Sequence, residues 1–299
     1  MSRIAISGAS GLIGSALVAS FESRRDDVTR LVRRLPQSSN ELQWDPLREI
    51  LPQILSGFDA VIHLSGENIA GRWTEAKKRR IRDSRIVSTQ NLSQALASAE
   101  KRPRVFICAS AIGYYGNRGD EILTEDSRSG SGFLAEVSRE WESVTAPAAD
   151  AGIRTVNLRT GIVLSRDGGA LKQMLLPFRL GLGGRVGNGR QWWSWIHIDD
   201  FLAAVRQIAD NLSLNGPVNM TAPNPVTSAD FTKTLAKTLK RPAVLPLPAF
   251  AAKLAFGEFA EEGLLASARV EPKKLLESGF KFRYSELARA LSELLKKHK

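Results

Sequence analysis

Directly after the apolar run Ile4-Ala5-Ile6-Ser7 the chain reads Gly8-Ala9-Ser10-Gly11-Leu12-Ile13-Gly14, and a helical pattern over 12–24 begins at once. No other stretch restricts the fold so much. A glycine at the first position permits a tight turn after a strand. A glycine at the second lets the backbone approach a pyrophosphate, and one at the third lets the helix pack closely on the strand. The helix start then offers free N–H groups and the positive end of its dipole to phosphates. A glycine triplet alone is weak; a strand before it and a helix after it make it specific. Gly8, Ser10, Gly11, Leu12, Ile13 and Gly14 are therefore candidate contacts to a dinucleotide.

The choice of dinucleotide is made about 20 residues on, at the end of the second strand, where a carboxylate would hold a ribose 2′-hydroxyl. This chain has Leu31-Val32-Arg33-Arg34 there. With no carboxylate and two guanidiniums for a 2′-phosphate, the reading is NADP(H) rather than NAD(H). The plainer alternative is two solvated arginines.

Short apolar runs alternate with helical patterns as far as residue 160. Strands are expected at Ile4–Ser7, Val28–Val32, Ala60–Leu64, Val105–Ala109 and Thr155–Leu158, and helices at 12–24, 74–100 and 132–151. That order predicts an α/β, Rossmann-type, doubly wound parallel sheet covered on both faces. Beyond it the regularity fades into the glycine-rich Gly181–Gly189, the run Trp192-Trp193-Ser194-Trp195, helices at 199–210 and 228–239, and an amphipathic helix over Tyr284–Lys297. Its terminal lysines suit the negative end of a helix dipole. The expected division is a nucleotide-binding domain over 1–160, with parts of 161–225 returning to it. A smaller C-terminal lobe, mainly concerned with substrate, takes 161–299.

Composition narrows the function classes. The 299 residues are 43% apolar and 24% charged, ordinary for a globular domain, which excludes a disordered chain. No run approaches the ~18 apolar residues of a membrane span, and no apolar signal core stands at the start, so a cytoplasmic protein is expected. The single cysteine, Cys108, excludes an internal disulfide and lies in an apolar run, as a buried inert thiol does. The formal charge of +11 raises polyanions as partners. It concentrates in residues 72–85 and 269–299, each carrying a net +5. The first segment lacks aromatics for base stacking beyond Trp73, so specific nucleic-acid binding is not expected. On its helix Ile81, Arg85, Ser88, Leu92, Ala95, Leu96 and Ala99 fall on one face. An arginine on a buried stripe needs an anionic partner, and a cofactor or substrate is the obvious one.

Several further motifs narrow the chain. Asp59-Ala60-Val61-Ile62-His63-Leu64-Ser65-Gly66 ends a strand with small residues where ligands sit. It is followed by Glu67-Asn68-Ile69, Arg72-Trp73 and Ser84-Arg85. Ser110-Ala111-Ile112-Gly113-Tyr114-Tyr115-Gly116, Phe178-Arg179-Leu180-Gly181-Leu182-Gly183-Gly184 and Trp195-Ile196-His197-Ile198-Asp199-Asp200 complete the set. Together they resemble the atypical extended short-chain dehydrogenase/reductases of the "epimerase family protein" group. From about residue 246 to 297 the chain resembles that group's C-terminal domain of unknown function. The resemblance implies NADP bound at Val32, Arg33, Leu64, Ser65, Arg80, Arg85 and Val163, with Gly66 beside them. It implies an oxidoreductase or epimerase acting on a small polar, perhaps sugar-like substrate, as a monomer or homodimer.

The superfamily's chemistry uses a serine, a tyrosine, and a lysine four residues after the tyrosine, whose charge eases loss of the phenol proton. With Trp141-Glu142 as anchor, the tyrosine position falls on Leu134 and the lysine position on Ser138. Both groups are absent. Arg139 is one residue off and rotated ~100° around the helix, so it is no replacement. Four residues remain as catalytic candidates. Ser110 can hold a carbonyl or hydroxyl, Tyr114 or Tyr115 can supply a phenol, and Glu67 can act as acid or base. The plainer reading of each is a loop residue satisfying backbone groups. A nucleotide-binding regulatory or redox-sensing protein without turnover is the alternative. His63 reads as a packed strand residue. The Trp192–Trp195 run either lines a substrate cleft or packs the small lobe. No metal site is expected, and Asp199 or Asp200 is expected to cap the following helix.

Overall fold

The computed structural model describes residues 1–296. Its centre is a seven-stranded sheet. From edge to edge the strands are Gly216–Met220, Arg154–Thr160, Val105–Ala111, Ala60–His63, Arg3–Ser7, Asp27–Val32 and Glu41–Gln43. Every neighbouring pair is parallel. Alternate residues of a strand face opposite sides. Ile4, Ile6, Ile62 and Ile107 pack with Leu17, Val18 and Phe21 of the helix Leu12–Glu22 and with Phe201, Val205 and Ile208 of the helix Ile198–Asp210. Ala5, Val61, Phe106 and Cys108 face the other way, onto Leu92 and Leu96 of the long helix Glu75–Ala97 and onto Trp141. The result is a doubly wound, Rossmann-type fold with a smaller C-terminal region.

The helix expected over 132–151 is two helices, Phe133–Ser143 and Ala146–Asp150. Pro147 explains the break, since it starts a helix readily but cannot continue one. The last helix is Leu287–Leu295, shorter than expected; Lys297 lies outside the described residues. Two strands of the central sheet were not foreseen. Glu41–Gln43 is three residues long, and Gly216–Met220 contains a glycine, a proline and an asparagine. Both are edge strands, where an apolar run is not required and proline is tolerated.

Beside the sheet a second core gathers Trp193, Trp195, Phe231, Leu235, Leu175, Tyr284 and Leu291. Trp193 and Trp195 are buried in it, so for these two the packing reading holds. Among the described residues no helix is long and apolar enough to cross a membrane.

Candidate nucleotide site and adjoining catalytic cleft

Parallel strands bring all their C-terminal ends to one edge. The strand Arg3–Ser7 pairs with Asp27–Val32 on one side and Ala60–His63 on the other. It is there that the connections change direction, and the crevice at such a point takes the ligand.

The three glycines do different work. Gly8 adopts a positive φ of 70°, and a Cβ on it would sit 2.8 Å from the Leu64 carbonyl carbon. A Cβ on Gly14 would sit 2.1 Å from the Gly8 oxygen, so the helix packs against the turn only because that atom is missing. Gly11 is different: it is exposed, and its nearest neighbour would be the Gly8 oxygen at 3.4 Å. The protein itself leaves room at Gly11. The helix behind it has no side-chain cap, so the N–H groups at Leu12, Ile13 and Gly14 are unclaimed by any capping side chain. Ser10 is exposed beside them.

At the end of the second strand the two arginines part company. Arg34 is bound bidentately by Glu41, at 2.6 and 2.8 Å. The same carboxylate accepts the Gln37 N–H, and together these hold the Glu41 carboxyl down at about 2. The reading of two available guanidiniums is thus corrected: Arg34 is committed to the edge strand. Arg33, exposed next to half-buried Val32, has no hydrogen bond or ion pair among the described residues.

Leu64, Ser65 and Gly66 follow the fourth strand, and Arg85 lies against them. Its guanidinium carbon would be 3.3 Å from a Cβ on Gly66. Through one nitrogen it donates to the Ile81 carbonyl at 3.0 Å and the Ser84 hydroxyl at 3.5 Å, and it packs over Trp141. No carboxylate pairs with it among the described residues, and burial pulls its pKa down to about 10. A guanidinium so placed suits an anion. Arg80 is exposed, with its nearest carboxylate, Glu67, at 3.8 Å. Val163 pairs in register with Ile196, and a Cβ on Gly168, five residues on, would meet Leu12 at 3.1 Å, so the start of the glycine turn's helix lies close to this segment. These residues fit a phosphorylated dinucleotide: an open glycine turn, N–H groups without a capping side chain, and two arginines, Arg33 and Arg85, that have no carboxylate partner among the described residues.

The catalytic candidates lie one strand further along the same edge. Leu134, Ser138 and Glu142 share a helix face at spacings of four. A Cβ on Gly113 would meet Leu134 at 3.2 Å and Ser138 at 3.9 Å. The vacated tyrosine and lysine positions therefore do face the strand end. Glu142 binds Arg159 bidentately at 2.8 Å to each oxygen, and Ser110 donates to Glu142 at 2.7 Å. Arg159, buried itself, also donates to the Tyr115 phenol at 3.0 Å and stacks 3.5 Å from the centre of the Tyr114 ring.

This sorts the candidates. Tyr115 is fully buried; its hydroxyl donates to Asn219 at 2.7 Å, and burial pushes the phenol up to about 12. It ties segments together, with its phenol already engaged inside the protein. Tyr114 is half-buried, and its phenol has no hydrogen-bond partner among the described residues. Ser110 is buried and already committed to Glu142. Glu67 is held by Lys77 at 2.6 Å, which lowers its pKa and disfavours an acid role. Arg139 points elsewhere, to the Gly130 carbonyl and Ser129.

Glu142, Arg159, Asn219 and Glu125 escaped the sequence reading. Glu125 accepts the Asn219 N–H at 3.0 Å, and burial raises its carboxyl above the usual range. One signal was available: Asn157 and Arg159 are polar residues inside a central strand, RTVNLRT, where charge needs a partner. His63 is buried between Ser7 and Ser88, at 2.6 and 3.1 Å, as a packed residue. His197, not an aspartate, caps the helix after it by accepting the Asp199 N–H. Asp200 instead binds the N–H groups of Arg283 and Tyr284, which corrects the expected cap. Trp192 is half-buried, with its indole N–H on Asp120. Among the described residues no group of three or more metal-binding side chains is found.

Residues 4–220 match the NAD dependent epimerase/dehydratase family, and residues 247–294 match a domain of unknown function, DUF1731. The epimerase family protein Mb2239 of Mycobacterium bovis is 46% identical over 290 residues, covering 96% of each chain. The crystal structure of human epimerase family protein SDR39U1 with NADPH superposes with a TM-score of 0.89 at 32% identity, covering 98% of both chains. A nucleoside-diphosphate sugar epimerase from Corynebacterium glutamicum superposes at 0.82 with 38% identity, over 98% of this chain and 58% of that one.

Proposed function

This chain belongs to the NAD dependent epimerase/dehydratase family, and from that premise we propose that it is an NADP(H)-dependent oxidoreductase or epimerase of a small polar, sugar-like substrate. The observation that carries the cofactor choice is Arg33, exposed and uncommitted at the end of the second strand, where no carboxylate stands to repel a 2′-phosphate. The human relative's structure with NADPH supports the same choice. Val32, Arg33, Leu64, Ser65, Gly66, Arg80, Arg85 and Val163 would hold the cofactor, together with the glycine turn. When bound, its nicotinamide supplies or accepts the hydride.

The chain's own part is proton transfer and positioning. Tyr114 offers the one phenol of the pair without an internal partner. The Arg159 guanidinium stacks 3.5 Å from the centre of its ring and so holds the phenol in place at the strand end. Glu142 keeps Arg159 in place and orients the Ser110 hydroxyl. Titration of NADPH fluorescence tests the premise: saturable binding is expected, and its absence rejects the proposal.

The second reading, a silent NADP(H)-binding regulator, rests on Leu134 and Ser138 standing where the tyrosine and lysine would be. The two part on turnover. Oxidation of bound NADPH, or epimerisation, by any member of a panel of carbonyls and nucleotide sugars supports the enzyme. Saturable binding with an inert panel favours the regulator.

A further inference from the structure

The net charge conceals a second asymmetry. Residues 169–190 and 231–257 together hold nine lysines and arginines and no aspartate or glutamate. These segments meet in space. Leu182 pairs with Ala243, and the Leu245 and Leu247 N–H groups donate to the Gly183 and Arg185 carbonyls. Among the described residues only Lys253 of the nine pairs with a carboxylate, Glu261.

The same surface is apolar. Leu176, Leu180, Leu182, Val244, Phe250 and Leu254 are each more than half exposed. Phe250 and Leu254 are four apart on the helix Ala249–Phe256, so both project from one face. Between the segments lies a cleft of about 420 Å³, walled by Ala236, Ala243, Val244 and Pro246, with Arg185 and Lys233 among its lining. Exposed apolar side chains gathered on the segments that wall a cleft point to an interaction site.

We propose that this cleft docks an acidic amphipathic helix of a partner protein, its apolar side chains entering the cleft and its carboxylates meeting the basic rim. Charge complementarity sets the sign of the partner. The prolines set its form. Pro242, Pro246 and Pro248 remove N–H donors along the Arg241–Pro248 edge, which disfavours an added strand and leaves recognition to side chains. The concavity separates it from a bilayer, which is met by a projecting apolar face rather than received into a cleft. The site lies outside the nucleotide crevice, so it does not depend on the proposed reaction.

The test uses the full chain and three probes. These are an 18-residue peptide with leucines at i, i+3, i+4 and i+7 and glutamates opposite, the same peptide with lysines for glutamates, and phosphatidylserine vesicles. By fluorescence anisotropy the acidic peptide is expected to bind at least tenfold more tightly than the basic one and to weaken as salt rises. Arg185→Glu with Lys233→Glu, and separately Val244→Asp, are expected to cost at least tenfold. These residues are exposed, and unchanged melting and circular dichroism confirm that the variants fold. Equal affinity for both peptides, no peptide binding, or affinity unmoved by the variants overturns the proposal. So does vesicle binding without peptide binding, which makes the surface a lipid site. A concentration-dependent dimer abolished by Val244→Asp assigns the cleft to a second copy instead and overturns it too.

Discussion

At the scale of single residues the site turns on which charges are already spent. Arg33 and Arg34 are neighbours in sequence, yet Glu41 claims only Arg34. Arg33→Asp is therefore expected to weaken NADPH binding by a hundredfold or more while changing NADH binding little. Fluorescence titration of both nucleotides reads the difference, and equal loss of both refutes the role given to Arg33. The buried pair Glu142–Arg159 makes a second prediction. Removing one partner leaves the other charge uncompensated, at a cost of roughly 3–5 kcal/mol, whereas replacing both by apolar residues restores most of the stability. Urea unfolding of Arg159→Met, Glu142→Leu and the double variant checks this. The double variant should be more stable than either single one. Tyr114→Phe should keep the fold and the NADPH affinity and lose turnover. These residues also show what the sequence made legible. Arg33 was readable because its meaning is local: the end of a strand at a fixed distance from a glycine turn. Glu142 and Arg159 were not, because their pairing joins a helix to a strand 17 residues later and depends on which faces the fold presents.

At the scale of elements, the glycine turn and its helix divide packing from binding. A methyl group on Gly14 would strike the Gly8 backbone, while one on Gly11 would reach ordinary contact distance only. Gly14→Ala is expected to destabilise the protein by about 1–3 kcal/mol or more. Gly11→Ala, with φ −77° at this position, should melt near the parent and still lose NADPH binding, because its methyl enters the space left for the pyrophosphate. Melting curves with and without NADPH separate the two. The strand Ala60–His63 is tied to the long helix through a neutral imidazole. Ser88 already donates to the Ser84 carbonyl, so its oxygen accepts the His63 Nε2 proton, and Nδ1 accepts from Ser7. Burial lowers the His63 pKa to about 3, from about 6.5 unfolded. Below pH 6.5 the unfolded chain takes up a proton that the folded one refuses. The stability due to His63 is thus full above that pH and falls as the pH drops toward 3. Between pH 6.5 and 4.5 the loss is roughly 2–3 kcal/mol. His63→Gln should flatten the urea midpoint against pH over that window, relative to the parent. Element by element, the inner strands were legible because burial on both faces makes most of their residues apolar. The edge strands were not, since Glu41–Gln43 is only three residues long and Pro217 is admissible only where one side of the strand is open.

At the scale of the molecule, the family boundary near residue 247 and the physical core do not coincide. Leu275 and Phe280, well inside the C-terminal match, pack in the same core as Ile4 and Ile62. Val270 is paired with Leu123, and the Ser194 hydroxyl links the Ala268 carbonyl to the Val270 N–H. Asp200, in a helix against the sheet, has both carboxylate oxygens on N–H groups of Arg283 and Tyr284. Tyr284, Leu287 and Leu291 complete the core around Trp195. A chain ending at residue 246 would keep the glycine turn, the seven strands and every candidate cofactor contact, and so looks sufficient as a nucleotide-binding domain. It would nonetheless expose two apolar cores, at roughly 1.5–3 kcal/mol for each large apolar side chain no longer covered, and strip the Asp200 carboxylate of both its N–H partners. Against a typical total stability of about 5–15 kcal/mol, that deficit is decisive. The truncated chain is expected to aggregate or to show no cooperative melt by circular dichroism, and the full chain to melt in a single transition that NADPH raises as a whole. If the fragment over 1–246 proved monomeric by sedimentation, melted cooperatively and bound NADPH with the full chain's affinity, the C-terminal region would be an accessory domain and not part of the fold that makes the site.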